Sequence, residues 1–324
     1  MEKNKKSKWL KIGILIVILI AFAACVFGGM TFFSKIDKPK ESTVIGTSAK
    51  WLKTRYDNAT PLKEDQTLAR TLIDTYHLNR HDLSPGWSVY GETLDGKKFV
   101  SVNENSPTRS ASIIKPFIVC AAYQYCLYPQ NGERALSLSE AEKNEIRSLS
   151  NKAVSESDND SANRLILLIG EGDKNKGFDR INTWCREQGF SQTKVGRLFL
   201  ESNPTGDNFT SAADCVNLLT DVYHKKMVND QTSSELIEFL KGQTDRGKIP
   251  RYIDGQGATI ANKTGELNAD YGLGFVDSDV ALVYNERNGF ALAVLMGDEN
   301  NHFEETNETI SLIAKTVFDA WMSK

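Results

Sequence analysis

The sequence has few histidines and no cysteine spacing of the kind that binds metals. Only four histidines occur among 324 residues, and none lies in a recognisable Ser-His-Asp arrangement. The five cysteines are not spaced as zinc ligands are. His77 and His81 are four apart, but residues 79–85 are typical of a loop and no third ligand is apparent. No convincing phosphate-cradling glycine loop occurs either, so we expect no metal, nucleotide or organic cofactor.

The chain also lacks a basic patch. Its net charge is −3, and the first eleven residues alone contribute five lysines against one glutamate. Without that net charge of +4 the remainder carries −7. Nucleic acid is therefore not an expected partner.

Charge is absent from residues 12–33 as well, and these 22 positions suffice to span a bilayer. With lysines before the span, we expect residues 1–11 to be a cytoplasmic tail, 12–33 a retained signal anchor in the cell membrane, and the rest extracytoplasmic. A cleaved signal peptide and a lipid-modified Cys25 are the alternatives. Residues 34–60 are predicted to be a tether and 61–324 a catalytic domain, which we expect to be monomeric.

Three short strings carry the chemistry, and their order is informative. They are S-I-I-K at Ser112–Lys115, S-D-N at Ser157–Asn159 and K-T-G at Lys263–Gly265. Each is weak alone, since a second Ser and Lys three apart occur at Ser191–Lys194. Together they predict a serine nucleophile for acyl transfer.

Lys115 is the candidate base, because no histidine is placed to activate Ser112. On a helix that begins near Ser112, Lys115 lies over the same face and can reach its hydroxyl. Pro116 fits the first turn of such a helix. Residues 117–127 are apolar, so burial should lower the pKa of the lysine. At a helix N-terminus the Ser112 amide would also be an oxyanion donor.

The other two strings supply complementary groups. Ser157 can relay a proton to a leaving nitrogen, and Asn159 can orient the lysine base and bind a substrate amide. Lys263 and Thr264 suit a substrate carboxylate, and Gly265 permits a close approach of backbone to substrate.

These strings resemble those of the penicillin-recognising serine enzymes, most closely the class A β-lactamases. The helix start at 157–166 and the segment R-G-K-I-P at 246–250, leading to 261–265, extend the resemblance, which covers the chain from about Glu64 onward. The resemblance implies that Ser112 is the nucleophile, Lys115 the base and Ser157 a proton shuttle. It further implies a carboxylate clamp of Lys263 and Thr264, and the Glu266 backbone amide as the second oxyanion donor.

One departure concerns deacylation. Class A enzymes carry a glutamate in an E-x-x-L-N loop that activates the hydrolytic water, and that string is absent here. Residues 197–207 fall where the loop belongs, and Glu201 is the candidate replacement, with a solvated loop acid as the alternative. We therefore predict a β-lactamase-like serine hydrolase acting on β-lactam amides. A D-Ala-D-Ala carboxypeptidase or transpeptidase of the cell wall and a non-turnover β-lactam sensor remain alternatives.

The predicted fold class is α/β, an α+β sandwich of the β-lactamase/transpeptidase kind. A five-stranded antiparallel sheet is flanked by helices and joined to an all-helical subdomain at about 113–243. Hairpins are predicted around 94–96 and 287–289, a first helix over 64–78 and a last helix over 305–321. Cys120 and Cys126 are poorly spaced for a mutual bridge, and Cys185 with Cys215 could pair, although buried free thiols are the simpler expectation.

Overall fold

The computed structural model describes residues 62–78, 86–129, 138–201, 205–268, 275–298 and 303–322. The predicted tail, span and tether lie outside these residues, as do His81 and Cys25. Within the described ranges, no helix combines the length and apolar character needed to cross a bilayer.

The main sheet has six strands, where the sequence predicted five. Its order is β1-β3-β2-β8-β7-β6. The strands are β1 (Lys63–Glu64), β2 (Trp87–Thr93), β3 (Lys98–Val102), β6 (Thr259–Leu267), β7 (Phe275–Tyr284) and β8 (Gly289–Asp298). The extra strand, β1, is two residues long and pairs with β3 in parallel, so the sheet is not wholly antiparallel. A strand this short shows no periodicity that a sequence could display.

Both predicted hairpins are confirmed. Strand β2 turns into β3 through Leu94–Lys97, and β7 turns into β8 through 285–288. Strand β2 also pairs with β8, which joins the two distant sequence segments into one sheet. Strand β6 lies at the edge and pairs only with β7 among the described strands.

Most of the helices precede β6 in the chain. They are α1 (Gln66–Tyr76), α2 (Lys115–Ala122), α3 (Glu140–Ser155), α4 (Asn159–Ile169), α5 (Lys174–Glu187), α6 (Ala212–Tyr223), α7 (Asp230–Lys241) and α8 (Phe303–Met322). Two short strands, β4 (Thr108–Arg109) and β5 (Phe209–Thr210), pair with each other. Because β5 lies within 113–243, this segment is mostly helical and not all-helical as predicted. Side-chain caps define several starts, including a full capping box at Ser139 and Glu142.

The sheet separates two apolar cores. Along β8, Ala293 and Leu295 pack with the helical subdomain, whereas Leu292 and Val294 pack on the opposite side. That alternation follows from the two-residue period of a strand. Helices α1 and α8 cover the second side, which confirms the predicted packing of the last helix on the sheet.

The four cysteines in the described residues are free and buried. Burial raises the pKa of Cys126 to about 11 and that of Cys215 to about 12. Cys185 and Cys215 therefore do not pair, and the buried-thiol interpretation is confirmed for this part of the chain.

Candidate active site

Ser112 lies in a turn of 3-10 helix, Ala111–Ile114, that leads directly into α2. The sequence predicted an α-helix starting near Ser112, but the α-helix itself begins three residues later, at Lys115. Pro116 occupies the first turn of α2, where its missing N–H costs nothing. Ala111 has a positive φ of 44°, an uncommon value for a residue with a Cβ, so the backbone is constrained just before the candidate nucleophile.

Lys115 is fully buried, and its ammonium group contacts the S-D-N string. Its Nζ donates to the Ser157 carbonyl at 2.6 Å, to Asn159 Oδ1 at 2.8 Å and to Ser157 Oγ at 3.3 Å. Burial, and next the charge of Lys263, lower the pKa of Lys115 to about 7, although Asp158 opposes the shift. A lysine with this pKa is substantially neutral at neutral pH and can accept a proton.

Ser157 connects the two lysines of the site. It precedes α4 and has a φ of 58°, while Asp158 caps α4 by accepting from the Ser161 amide at 2.7 Å. Lys263 Nζ donates to Ser157 Oγ at 2.9 Å, and Lys115 reaches the same oxygen from the other side. The Ser157 hydroxyl is thus placed to pass a proton between the base side and the strand side of the site.

Lys263 is also fully buried and donates to the Thr264 carbonyl at 2.8 Å. Burial lowers the pKa of Lys263 to about 7, although the carboxylates of Asp279 and Asp245 oppose the shift. Two buried amines whose pKa values are both lowered therefore contact one hydroxyl, that of Ser157.

Gly265 is required by the close approach of β6 to the nucleophile turn. A Cβ at this position would lie 2.9 Å from the Ser110 carbonyl and 3.0 Å from the Ile113 amide. Because β6 is an edge strand, alternate backbone groups face away from the sheet and toward this turn. This placement is compatible with the prediction that the Glu266 amide faces a substrate carbonyl.

The loop before β5 contributes an aromatic ring to the site. The ring centre of Phe199 lies 4.6 Å from Lys115 Nζ. Asn163 holds this residue at both backbone groups, accepting from the Phe199 amide at 2.8 Å and donating to its carbonyl at 3.1 Å. Sequence reasoning missed both residues, although Asn163 follows Asn159 by one turn of α4 and so shares its face.

The Glu201 carboxylate is bonded to two groups near the loop, one of them at the start of α5. Its carboxylate pairs with Lys174 and accepts from the Leu198 amide at 3.0 Å. The Lys174 hydrogen bond lowers the pKa of Glu201 and keeps it ionised, with burial opposing. With its side chain 21% exposed and paired with Lys174, Glu201 is not the solvated loop acid that the sequence left open. It is not bonded to the candidate base either, since the hydrogen bonds of Lys115 go to Ser157 and Asn159. Asp207, the other carboxylate of the loop, pairs with Arg109 and Arg197.

The structure therefore brings together Lys115, Ser157, Asn159 and Lys263, and it places the Ser112 turn against Gly265. Among the described residues, no three or more His, Cys, Asp or Glu side chains are arranged so that they could hold a metal ion. A helical layer against the edge of such a sheet is the architecture that the resemblance to the penicillin-recognising serine enzymes implies.

The chain belongs to the beta-lactamase enzyme family, which it matches over residues 129–321. The match includes the S-D-N and K-T-G strings and begins after Ser112. No curated protein sequence matches the chain.

Solved structures share the fold at low sequence identity. PBP-A is 19% identical to this chain, with a TM-score of 0.63, and the alignment covers 81% of this chain and 98% of the PBP-A chain. TLA-3 extended-spectrum beta-lactamase is 17% identical with a TM-score of 0.63, covering 79% and 98%. A beta-lactamase from Sphaerobacter thermophilus DSM 20745 is 17% identical with a TM-score of 0.61, covering 79% and 97%.

Proposed function

We propose that the protein opens cyclic amides of the β-lactam type through an acyl-enzyme on Ser112. The observation that carries the proposal is the Ser157 hydroxyl between two buried lysines, 3.3 Å from Lys115 and 2.9 Å from Lys263. Because its pKa is lowered to about 7, the buried Lys115 is partly neutral at pH 7 and can act as the base that activates Ser112.

In the acylation step the Ser112 oxygen bonds to the amide carbonyl carbon while its proton passes to neutral Lys115. The carbon–nitrogen bond then breaks, and the leaving nitrogen receives a proton through the Ser157 hydroxyl. The Ser112 and Glu266 amides stabilise the oxyanion between these events. Water later attacks the ester, which releases the acid and returns a proton to the Ser112 oxygen.

The loop favours slow release of the acyl group. The loop residue against Lys115 is the apolar ring of Phe199, and the Glu201 carboxylate is committed to Lys174. Among the described residues, the hydrogen bonds of Lys115 go to Ser157 and Asn159 and to no carboxylate. Hydrolysis without a positioned base loses on the order of 10²–10⁴ in rate.

This geometry supports a second candidate function, acyl transfer on cell-wall peptides that end in D-Ala-D-Ala. There an amine acceptor would release the acyl group in place of water. One solved structure that is similar to this chain is a mutant of PBP-A in an acyl-enzyme complex with penicillin G, which is a precedent for an acyl-enzyme on this fold.

The test is intact-mass spectrometry of the full chain mixed with a penicillin and sampled over time. We expect a penicilloyl adduct on the wild type that decays over many minutes, and none on Ser112→Ala. Ser191→Ala is the matched control, because Ser191 belongs to the other S-x-x-K string. This variant should still form the adduct on Ser112. An adduct on Ser112→Ala would overturn the assignment of the nucleophile. Rapid adduct loss with catalytic accumulation of product would favour a full β-lactamase, and persistence would favour the wall-peptide function.

We also propose that residues 12–33 anchor the enzyme in the cell membrane with the catalytic domain outside. The support is their 22 uncharged positions preceded by five lysines. Fractionation and protease treatment of intact cells would test it. Recovery of the chain in a fraction extractable without detergent would contradict a retained anchor.

A further inference from the structure

Glu266 lies beside the predicted carboxylate clamp. It follows Thr264 by two residues on β6, so the two side chains share a face of the sheet about 7 Å apart. Thr264 is nearly buried, whereas the side chain of Glu266 is 48% exposed. The partly exposed carboxylate of Glu266 therefore lies beside Thr264, where the resemblance places the carboxylate of the substrate.

The strand register adds further acids to this face. In the backbone register of β6 and β7, Asp279 lies opposite Thr264, and Asp277 lies opposite Glu266. Directly opposed residues of antiparallel strands project to the same side. Both aspartates are fully buried, and burial raises the pKa of Asp277 to about 6 and that of Asp279 to about 7.

One cation is shared among several of these acids. The side chain of Lys248 is 1% exposed, and its Nζ bonds to Glu266, lies 3.1 Å from Asp245 and lies 3.4 Å from Asp277. Burial alone would lower the pKa of Lys248, but the surrounding carboxylates raise it on balance, so Lys248 keeps its charge. The Lys248 charge is divided among three carboxylates, and the neighbouring Arg246, which donates to Asn262 Oδ1 at 3.0 Å, is paired with Asp254, so negative charge is in excess beside Thr264.

The two clamp residues are engaged as well. The Thr264 hydroxyl helps to lower the pKa of Asp245, and Lys263 donates to Ser157 Oγ and to the Thr264 carbonyl. With its pKa lowered to about 7, Lys263 offers only part of a positive charge at neutral pH. A substrate carboxylate would thus find little positive charge to bind and a carboxylate close by.

We propose that Glu266 is a specificity-determining residue that makes the site favour acyl donors without a free carboxylate at this end, such as an ester or carboxamide. This inference rests on the proposed acylation of Ser112 and names the substrate class of the same site. It counts against the second candidate function, because a peptide that ends in D-Ala-D-Ala carries a free carboxylate. Repulsion between the Glu266 carboxylate and a carboxylate on the donor would weaken binding of that donor and leave an uncharged donor unaffected. The Lys248 contact fixes the Glu266 carboxylate and so maintains the discrimination.

The test compares a penicillin with its methyl ester on the full chain, using the rate of adduct formation on Ser112. Both donors deliver the same acyl group, and only one carries the carboxylate. On the wild type we expect the ester to react about tenfold faster than the acid or more. The quantity compared is the rate with the ester divided by the rate with the acid. A substitution that slows both reactions equally leaves this ratio unchanged.

Glu266→Gln keeps the shape of the side chain and removes its charge, so the ratio should fall about tenfold toward equality. Glu286→Gln is the matched control, because Glu286 is exposed in the turn between β7 and β8, and its ratio should stay at the wild-type value. Should Glu266→Gln fail to fold, salt provides a second measurement on the wild type. The ratio should narrow between about 0.01 M and about 1 M salt, as the Debye length falls from roughly 30 Å to roughly 3 Å.

A wild-type preference for the acid, or a ratio in Glu266→Gln within twofold of the wild-type value, would overturn the inference. Absence of an adduct with both donors would instead remove the proposed function, and the inference with it. The two failures are therefore distinguishable.

Discussion

The charge of Asp158 should shift the pH at which Ser112 becomes reactive. Asp158 is the carboxylate among the causes that act on Lys115, and it raises the pKa of the lysine against burial and Lys263. Replacing it by asparagine removes that charge. Asparagine is also a good N-cap, so α4 should still start at the same residue. The substitution therefore alters electrostatics with little effect on the fold.

The magnitude follows from the fraction of neutral lysine. With its pKa lowered to about 7, Lys115 is half neutral at pH 7, whereas at the ordinary value of 10.5 about one molecule in 3,000 would be. Loss of a partly exposed neighbouring charge should lower the pKa by roughly half a unit. At pH 6 the neutral fraction would then rise from about a tenth to about a quarter, a gain of roughly 2.5-fold in acylation rate.

The assay is the rate of adduct formation on Ser112 from about pH 5 to pH 9 under a fixed excess of donor. The wild-type rate should rise with pH through a midpoint near 7, which belongs to the coupled Lys115 and Lys263 pair. In Asp158→Asn the midpoint should move to lower pH. Asp160→Asn is the control, since Asp160 is exposed in the first turn of the same helix and is not among the causes of the Lys115 shift.

Three outcomes would refute this reasoning. A midpoint near 10 would mean that Lys115 is not a desolvated base. A midpoint that rises in Asp158→Asn would reverse the sign of the electrostatic argument. An equal shift in Asp160→Asn would assign the effect to net charge and not to the contact geometry.

Three further predictions concern the loop and the strand. Phe199→Glu places a carboxylate against Lys115, so the penicilloyl adduct should decay at least tenfold faster, as measured by intact mass. Glu201→Gln should change the adduct lifetime less than twofold, because Lys174 and Leu198 already occupy the carboxylate; a hundredfold longer lifetime would make Glu201 the deacylating base. Gly265→Ala should lower the free energy of unfolding by about 1–3 kcal/mol and slow acylation, since its Cβ meets the Ser112 turn; unchanged values of both in thermal and adduct assays would contradict that contact.

The sequence predicted the parts of the fold that local patterns determine. The hairpin turns, the helical insertion and the last helix follow from two-residue and 3.6-residue periodicity interrupted by turn residues. The order of the three strings also predicted a shared site, and the contacts of Ser157 with both lysines agree with that expectation. A lowered pKa for Lys115 was expected because an apolar helix follows it.

Other features depend on contacts that no local pattern encodes. Strand β1 exists only through its pairing with β3. The position of Phe199 over Lys115 depends on the paired hydrogen bonds to Asn163, thirty-six residues earlier in the chain. The sharing of Lys248 among three acids depends on the register of β6 and β7, which a sequence alone does not specify.

Two residues of the site adopt a backbone conformation that their side chains do not favour. Ala111, next to Ser112, has a φ of 44°, and Ser157 has a φ of 58°. Each costs on the order of 1 kcal/mol relative to an ordinary conformation, and neither residue type predicts it. The buried packing of α2 and the cap of Asp158 on α4 can offset such a cost, because they fix the segments on either side. The conformation of Ser157 directs both its carbonyl and its hydroxyl at Lys115. A residue in a strained backbone conformation therefore makes two of the contacts that position the lysine base.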